Sequence, residues 1–213
     1  NPKMLTSFVD GTKTMVEMAA LANFLDFNID IDGMHGIEAT YENINQYYIP
    51  KKDGGLLDQS QVVDFAFGIA PGVFAVIYSE DDYVNYEMEY LKMGKGPYWT
   101  LYRPYHLTSL EIPRTIMKLM VEKETQLSAK KWNVEVVAYS KKDLKAGTNL
   151  GSIGGENIYG KAMRVENSKN LAPLGIAENN IVNSEVKKGE PIEIENIDIT
   201  DNQLYKYWLS QNS

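Results

Sequence analysis

Residues 99–113, WTLYRPYHLTSLEIP, put Arg103, His106 and Glu111 on one short segment, interleaved with Tyr102, Tyr105 and two prolines. The chain has only two histidines, and this segment uses one of them. An arginine can grip a carboxylate or phosphate with two parallel hydrogen bonds. A histidine can move a proton near neutral pH. A cation, an imidazole and a carboxylate among rigid aromatics are therefore the parts of a site for a small anion, with Arg103 as clamp, His106 as proton carrier and Glu111 as a binding partner. The same residues read equally well as a packed turn whose polar groups cap a neighbouring helix.

A second constellation lies near the start. Asp10, Lys13 and Glu17 cluster where a turn enters a helix, and Lys13 and Glu17 are one helical turn apart on a shared face. A lysine working as acid or base needs its pKa lowered by burial or by a neighbouring cation. Otherwise Asp10 caps the helix and Lys13–Glu17 is a surface pair. The other histidine, His35, lies in Gly-Met-His-Gly, where flanking glycines let the backbone approach a ligand closely. A loop histidine bonded to a carbonyl is the competing reading. His35 or His106 with Glu17 or Glu111 offers donors for a divalent metal, but no histidine pair at helical i, i+4 spacing defines such a site.

The elements that must carry these residues follow from periodicity and turn chemistry. Residues 8–25 read as a helix whose apolar face is Met15, Met18, Ala19, Ala22 and Leu25, with Thr14 and Glu17 as its capping box. Residues 28–36 are loop, 37–47 a short helix, and 50–59 a loop or hairpin tip. Residues 62–79, VVDFAFGIAPGVFAVIYS, split at Ala70-Pro71-Gly72 into two apolar strands. Residues 80–92 form a helix with Asp81 and Asp82 in its acidic first turn. A short strand at 98–102 precedes a helix over 108–126, with Pro113 in its first turn and Ile112, Ile116, Leu119 and Met120 on its apolar face. Alternating helices and strands imply a sheet with helices packed on it.

After about residue 128 the texture changes to short strands between glycine turns. Residues 141–151, KKDLKAGTNLG, and 184–194, SEVKKGEPIEI, look alike: an aliphatic residue, a Lys-x-Gly turn, then another aliphatic. A small all-β module of hairpins is expected here, closed by a C-terminal helix bearing Leu204, Trp208 and Leu209. The fold class is thus α+β, with a substrate-binding and oligomerisation domain over residues 1–128 and a β module over 129–213.

Charge and composition narrow the function. Of 213 residues 44% are hydrophobic and 23% charged, ordinary values for a globular protein. Residues 1–128 carry 10 basic and 18 acidic residues, whereas 129–213 carry 11 of each. An acidic front half without a basic stripe argues against nucleic acid. No apolar run is long enough for a membrane span, and the N-terminus lacks the apolar core of a signal peptide. The absence of cysteine excludes disulfides and permits a cytoplasmic home. The chain opens at Asn1 without an initiator methionine and is structured within a few residues, as expected of a piece of a longer protein. The near-continuous apolar strands at 62–79 need cover on both faces. The helices at 8–25 and 108–126 supply one cover, and a second subunit is expected to supply the other.

Residues 134–199 resemble a SAF domain, the β-clip module shared by antifreeze proteins, the C-terminal part of sialic acid synthases and flagellar P-ring chaperones. The paired glycine turns and LGIAENNIV carry the match. The front half, through SFVDGTKTMVEMAALAN, DGMHG and LYRPYHLTSLEIP, resembles the substrate domain of homoserine-dehydrogenase-like oxidoreductases that end in a SAF module. One branch of that group is a reductoisomerase of deoxyxylulose phosphate. The resemblance implies an NAD(P)-dependent enzyme acting on a small carboxylate or phosphorylated metabolite. It gives proton transfer and substrate binding to an Asp and a Lys at the head of the corresponding helix, here Asp10 and Lys13, although the family spacing is one residue longer. His35 falls at the rim of the implied pocket. Such enzymes open with a dinucleotide-binding domain. No G-x-G-x-x-G follows a strand here, and GSIGGENIYG at 151–160 opens no predicted helix, so no cofactor is expected on this chain alone. The competing class is a non-enzymatic module whose SAF region grips a carbohydrate or protein.

Overall fold

The computed structural model describes residues 1–105, 107–199 and 203–211. It is a mixture of helices and small two-stranded sheets, compatible with the α+β expectation. The chain forms two compact units, one of Asn1–Met34 with Ala129–Ser213 and the other of His35–Ser128. The sequence reading, with its single boundary near 128, did not include a crossing at residue 34.

In the first unit the N-terminus holds two helices rather than one. Helix α1 spans Pro2–Val9, capped by the Asn1 side chain accepting from the Lys3 N–H at 3.1 Å. Helix α2 spans Thr12–Leu25. Gly11, at φ 76°, makes the left-handed corner between them. Thr14 therefore lies inside α2 and caps nothing. Gly11 is the N-cap of α2, without a side-chain cap, and the preceding Asp10 accepts the Thr12 N–H on its Oδ1 at 3.0 Å.

Helix α2 packs on the antiparallel pair of β5 (Val134–Ser140) and β6 (Ile158–Arg164). Met15, Ala19 and Ala22 are buried. The Gly160 N–H donates to Thr12 Oγ1 at 2.9 Å and the Ala162 N–H to Met15 Sδ at 3.3 Å, so α2 satisfies the edge of β6. A Cβ at Gly160 would meet Leu174, Val136 and Thr12 at 2.8–3.1 Å, which explains glycine at this crossing.

Around β5 and β6 the two look-alike segments pair with each other. Leu144 and Val186 exchange backbone hydrogen bonds of 2.8 and 3.0 Å. Moving 144 onto 186 carries 139 onto 181 and 149 onto 191, and the bridges 139–191 and 149–181 are both present. The repeated turns thus sit about a local two-fold, each closed by a glycine of positive φ, Gly147 at 87° and Gly189 at 82°. Helix α6 (Leu174–Ala177) and the short pair β7 (Ile181–Val182) and β8 (Ile197–Asp198) complete the all-β part. Helix α7 spans Gln203–Gln211, with Leu204 and Leu209 exposed.

In the second unit β1 (Ile37–Glu38) pairs in parallel with β2 (Ala66–Phe67). The expected helix over 37–47 shrinks to α3, Ile44–Tyr47. Strand β3 (Val73–Tyr78) pairs antiparallel with β4 (Tyr98–Arg103). Helix α4 (Asp82–Tyr90) links them, with Asp81 as N-cap accepting from the N–H groups of Tyr83 and Val84. The core is Ala39, Ile44, Tyr48, Leu57 and Ile69, with Phe74, Val76 and Tyr102 packed against it. Trp99 is fully buried and donates to Asn85 Oδ1 at 2.9 Å, fixing β4 to α4.

Helix α5 spans Thr108–Met117 and runs into a π turn, Lys118–Glu122. Pro113 sits inside α5, not in its first turn, so the bond an N–H there would make is missing. The apolar face read from sequence is present but largely open: Ile112, Ile116, Leu119 and Met120 are 50–66% exposed.

Candidate functional site

The most tightly built polar cluster belongs to His35. Its Nδ1 lies 2.8 Å from Asp64 Oδ2, with the side chains 14% and 4% exposed. Asp64 also accepts from the backbone N–H groups of His35, Gly36 and Phe65 at 2.8–3.2 Å and from the Tyr48 hydroxyl at 3.2 Å. Burial, with Asp64 beside it, pushes the Tyr48 phenol well above its ordinary pKa, so Tyr48 stays a neutral donor. The backbone here is made for the purpose. Met34 and Gly36 have φ of 61° and 56°, and a Cβ on Gly36 would lie 2.7 Å from the Phe65 ring. A carboxylate so held fixes the proton on Nδ1 and directs Nε2 to any proton exchange.

Arg103, at the end of β4, ion-pairs with Glu111 on α5. The two expected binding residues thus meet, and the carboxylate orients the guanidinium. They line a cleft of about 430 Å³ together with Arg114 and Lys118. Glu111, Arg114 and Lys118 recur at three- and four-residue spacing, which sets them on one side of the helix and its π turn. Glu111 pairs with Arg103 and Glu122 with Lys118 at 3.8 Å, which leaves Arg114 as the cation that tips the cleft toward an anion, against the acidic balance of residues 1–128. His106 lies outside the described residues.

Asp10, Lys13 and Glu17 belong to the first unit, whereas His35, Arg103 and Glu111 belong to the second. Lys141 Nζ approaches Asp10 Oδ2 at 2.7 Å and donates to the Gly155 carbonyl at 2.8 Å, tying α2's entry turn to the β module. Lys13 lies over the Phe8 ring at 4.2 Å from its centroid. Glu17 is exposed.

Sequence reasoning missed Asp64, Tyr48, Arg114 and Lys118. Arg114 and Lys118 were legible as the helical continuation of Glu111. Asp64 gave one signal only, an acid inside an apolar strand run.

Among the described residues no group of three or more acidic or histidine side chains is arranged to hold a metal ion, and no helix is long and apolar enough to cross a membrane. The run 151–157 leads through turns into β6 and opens no helix.

A buried histidine–carboxylate pair and the Arg103 cleft thus both lie in the second unit. Comparison with known families makes the class definite. The model of the oxidoreductase DRL catalytic domain matches residues 1–112, just over half of the chain, and the chain belongs to that family. An oxidoreductase-type function follows. No curated protein matches the chain.

Proposed function

We propose that this chain is the substrate-binding portion of an NAD(P)-dependent oxidoreductase of the homoserine-dehydrogenase-like group, acting on a small carboxylate or phosphorylated metabolite, with residues 129–213 as a SAF-type module. The observation that carries the reading is the cleft of Arg103, Arg114 and Lys118 on a chain of an oxidoreductase family. Arg103, steadied by Glu111, clamps the substrate anion, and Arg114 adds charge. His35, oriented by Asp64, exchanges the proton that accompanies carbonyl reduction or its reverse. The nicotinamide belongs to a dinucleotide-binding domain of the intact enzyme. The local two-fold of paired glycine turns supports the SAF reading. The exposed apolar face of α5 supports pairing with a second copy.

A thermal-shift screen of carboxylate and phosphate metabolites on the 213-residue chain tests this reading. Stabilisation that disappears in Arg103→Ala and survives changes around Gly155 supports it. Stabilisation by carbohydrates that is lost on changes around Gly155 and indifferent to Arg103→Ala replaces it with the non-enzymatic module.

A further inference from the structure

The solvent side of helix α4 reverses the usual pattern of a surface helix, which turns its apolar side chains to the core and its charges to water. At about 100° per residue, Tyr83, Tyr86 and Tyr90 fall on the side opposite Asn85, whose side chain is fixed to the buried Trp99. The three rings stand 66–72% exposed along the outermost line of the helix. Among the described residues no hydrogen bond to their hydroxyls and no ring contact holds them. Carboxylates run along both edges of this line, Glu87 on one and Asp82 with Glu89 on the other. Among the described residues none of these three acids is in an ion pair, and α4 itself contains no basic residue.

Tyrosine is a residue of interface centres, because it offers a large rigid apolar face with a polar tip. Three of them in line between acids make a surface for a partner, and the charge says of what kind. The chain has a net charge of −8, so these carboxylates repel a second copy at this face, and they repel nucleic acid and anionic lipid as well. A cationic partner is attracted. From Tyr83 to Tyr90 the helix rises about 10 Å, longer than a single cationic group and matched by about three residues of extended chain. Arginine suits this line better than lysine. Its planar guanidinium stacks on a tyrosine ring and still grips a neighbouring carboxylate with two bonds.

We infer that the outer face of α4 binds an arginine-bearing segment of a partner protein. Guanidinium groups stack on Tyr83, Tyr86 and Tyr90 and pair with Asp82, Glu87 and Glu89. The surface shares no residue with the Arg103 cleft and does not depend on the function proposed for it.

Amide NMR of the isotopically labelled 213-residue chain tests the inference, with hexa-arginine, hexa-lysine and spermine as probes. Hexa-arginine should shift the amide signals of residues 82–91 ahead of those of other acidic segments, and should bind more tightly than hexa-lysine or spermine. The Tyr83→Ser/Tyr86→Ser/Tyr90→Ser triple variant should weaken that binding at least about tenfold. Glu87→Gln should weaken it to a smaller extent. Arg103→Ala should leave it unchanged, and so should Glu156→Gln, which removes an exposed acid of the other unit. The three tyrosines lie outside the core, and the unshifted signals of each variant report that it is folded. Shifts spread evenly over the acidic segments, equal responses to hexa-arginine and hexa-lysine, or an undiminished response in the triple variant would each overturn the surface. Spermine binding as tightly with the same footprint would also overturn it, by making α4 a polyamine site.

Discussion

Asp64 carries more of the local structure than any other acidic side chain described, because five donor groups converge on it. Asp64→Asn keeps the shape but turns one acceptor oxygen into a donor facing N–H and O–H groups. The expected cost is about 1–3 kcal/mol of stability, read from urea unfolding, together with loss of the fixed histidine tautomer, read from the His35 ring nitrogens by NMR. Tyr98 offers a pH-dependent check. Its hydrogen bond to Asp53 pushes the phenol up to about 12. The folded value lies above the unfolded one, so the stability this bond lends is complete below about pH 10 and is lost as pH rises through about 12. In Asp53→Asn the ultraviolet titration of Tyr98 should return toward that of an ordinary tyrosine. At this scale the sequence placed Arg103 on one segment with its ion-pair partner Glu111, but it did not place His35 beside Asp64. Asp64 lies 29 positions from His35, and only the folded loop brings it close.

Among elements, legibility followed locality. Asp81 as the start of α4, the strands that became β3 and β4, and the twin glycine turns were all visible, because each is fixed by near neighbours. Helix α1 was missed, although Asn1 followed by Pro2 is a cap and first-turn pair. The partner of α2 was not legible at all. Its apolar face fits any apolar surface, and the choice of the β5–β6 pair depends on Thr12, Met15 and Gly160 meeting across the fold. Thr12→Val keeps the bulk and removes the acceptor for the buried Gly160 N–H. It should cost about 1–3 kcal/mol in thermal or urea unfolding, and Thr12→Ser should restore much of it. A neutral result for Thr12→Val would mean that α2 docks by apolar contact alone.

For the whole molecule the leading expectation is association. Ile116 and Met120, 50% and 66% exposed, belong to a largely open apolar face. Sedimentation at tens of micromolar should show a dimer or larger species, and Ile116→Glu/Met120→Glu should convert it to monomer. A clean monomer in the unmodified chain would remove the second subunit from the account. The division into units explains why the sequence drew only one boundary: composition changes at 128, whereas nothing in the composition marks residue 34, where the chain passes from one unit to the other. The central claim concerns the Arg103 cleft. Calorimetric titration of the chain with a small anionic metabolite found by the thermal-shift screen tests it most directly. The account predicts binding that weakens with added salt and falls at least about tenfold in Arg103→Ala and in Arg114→Ala. Binding unchanged in both variants would contradict it.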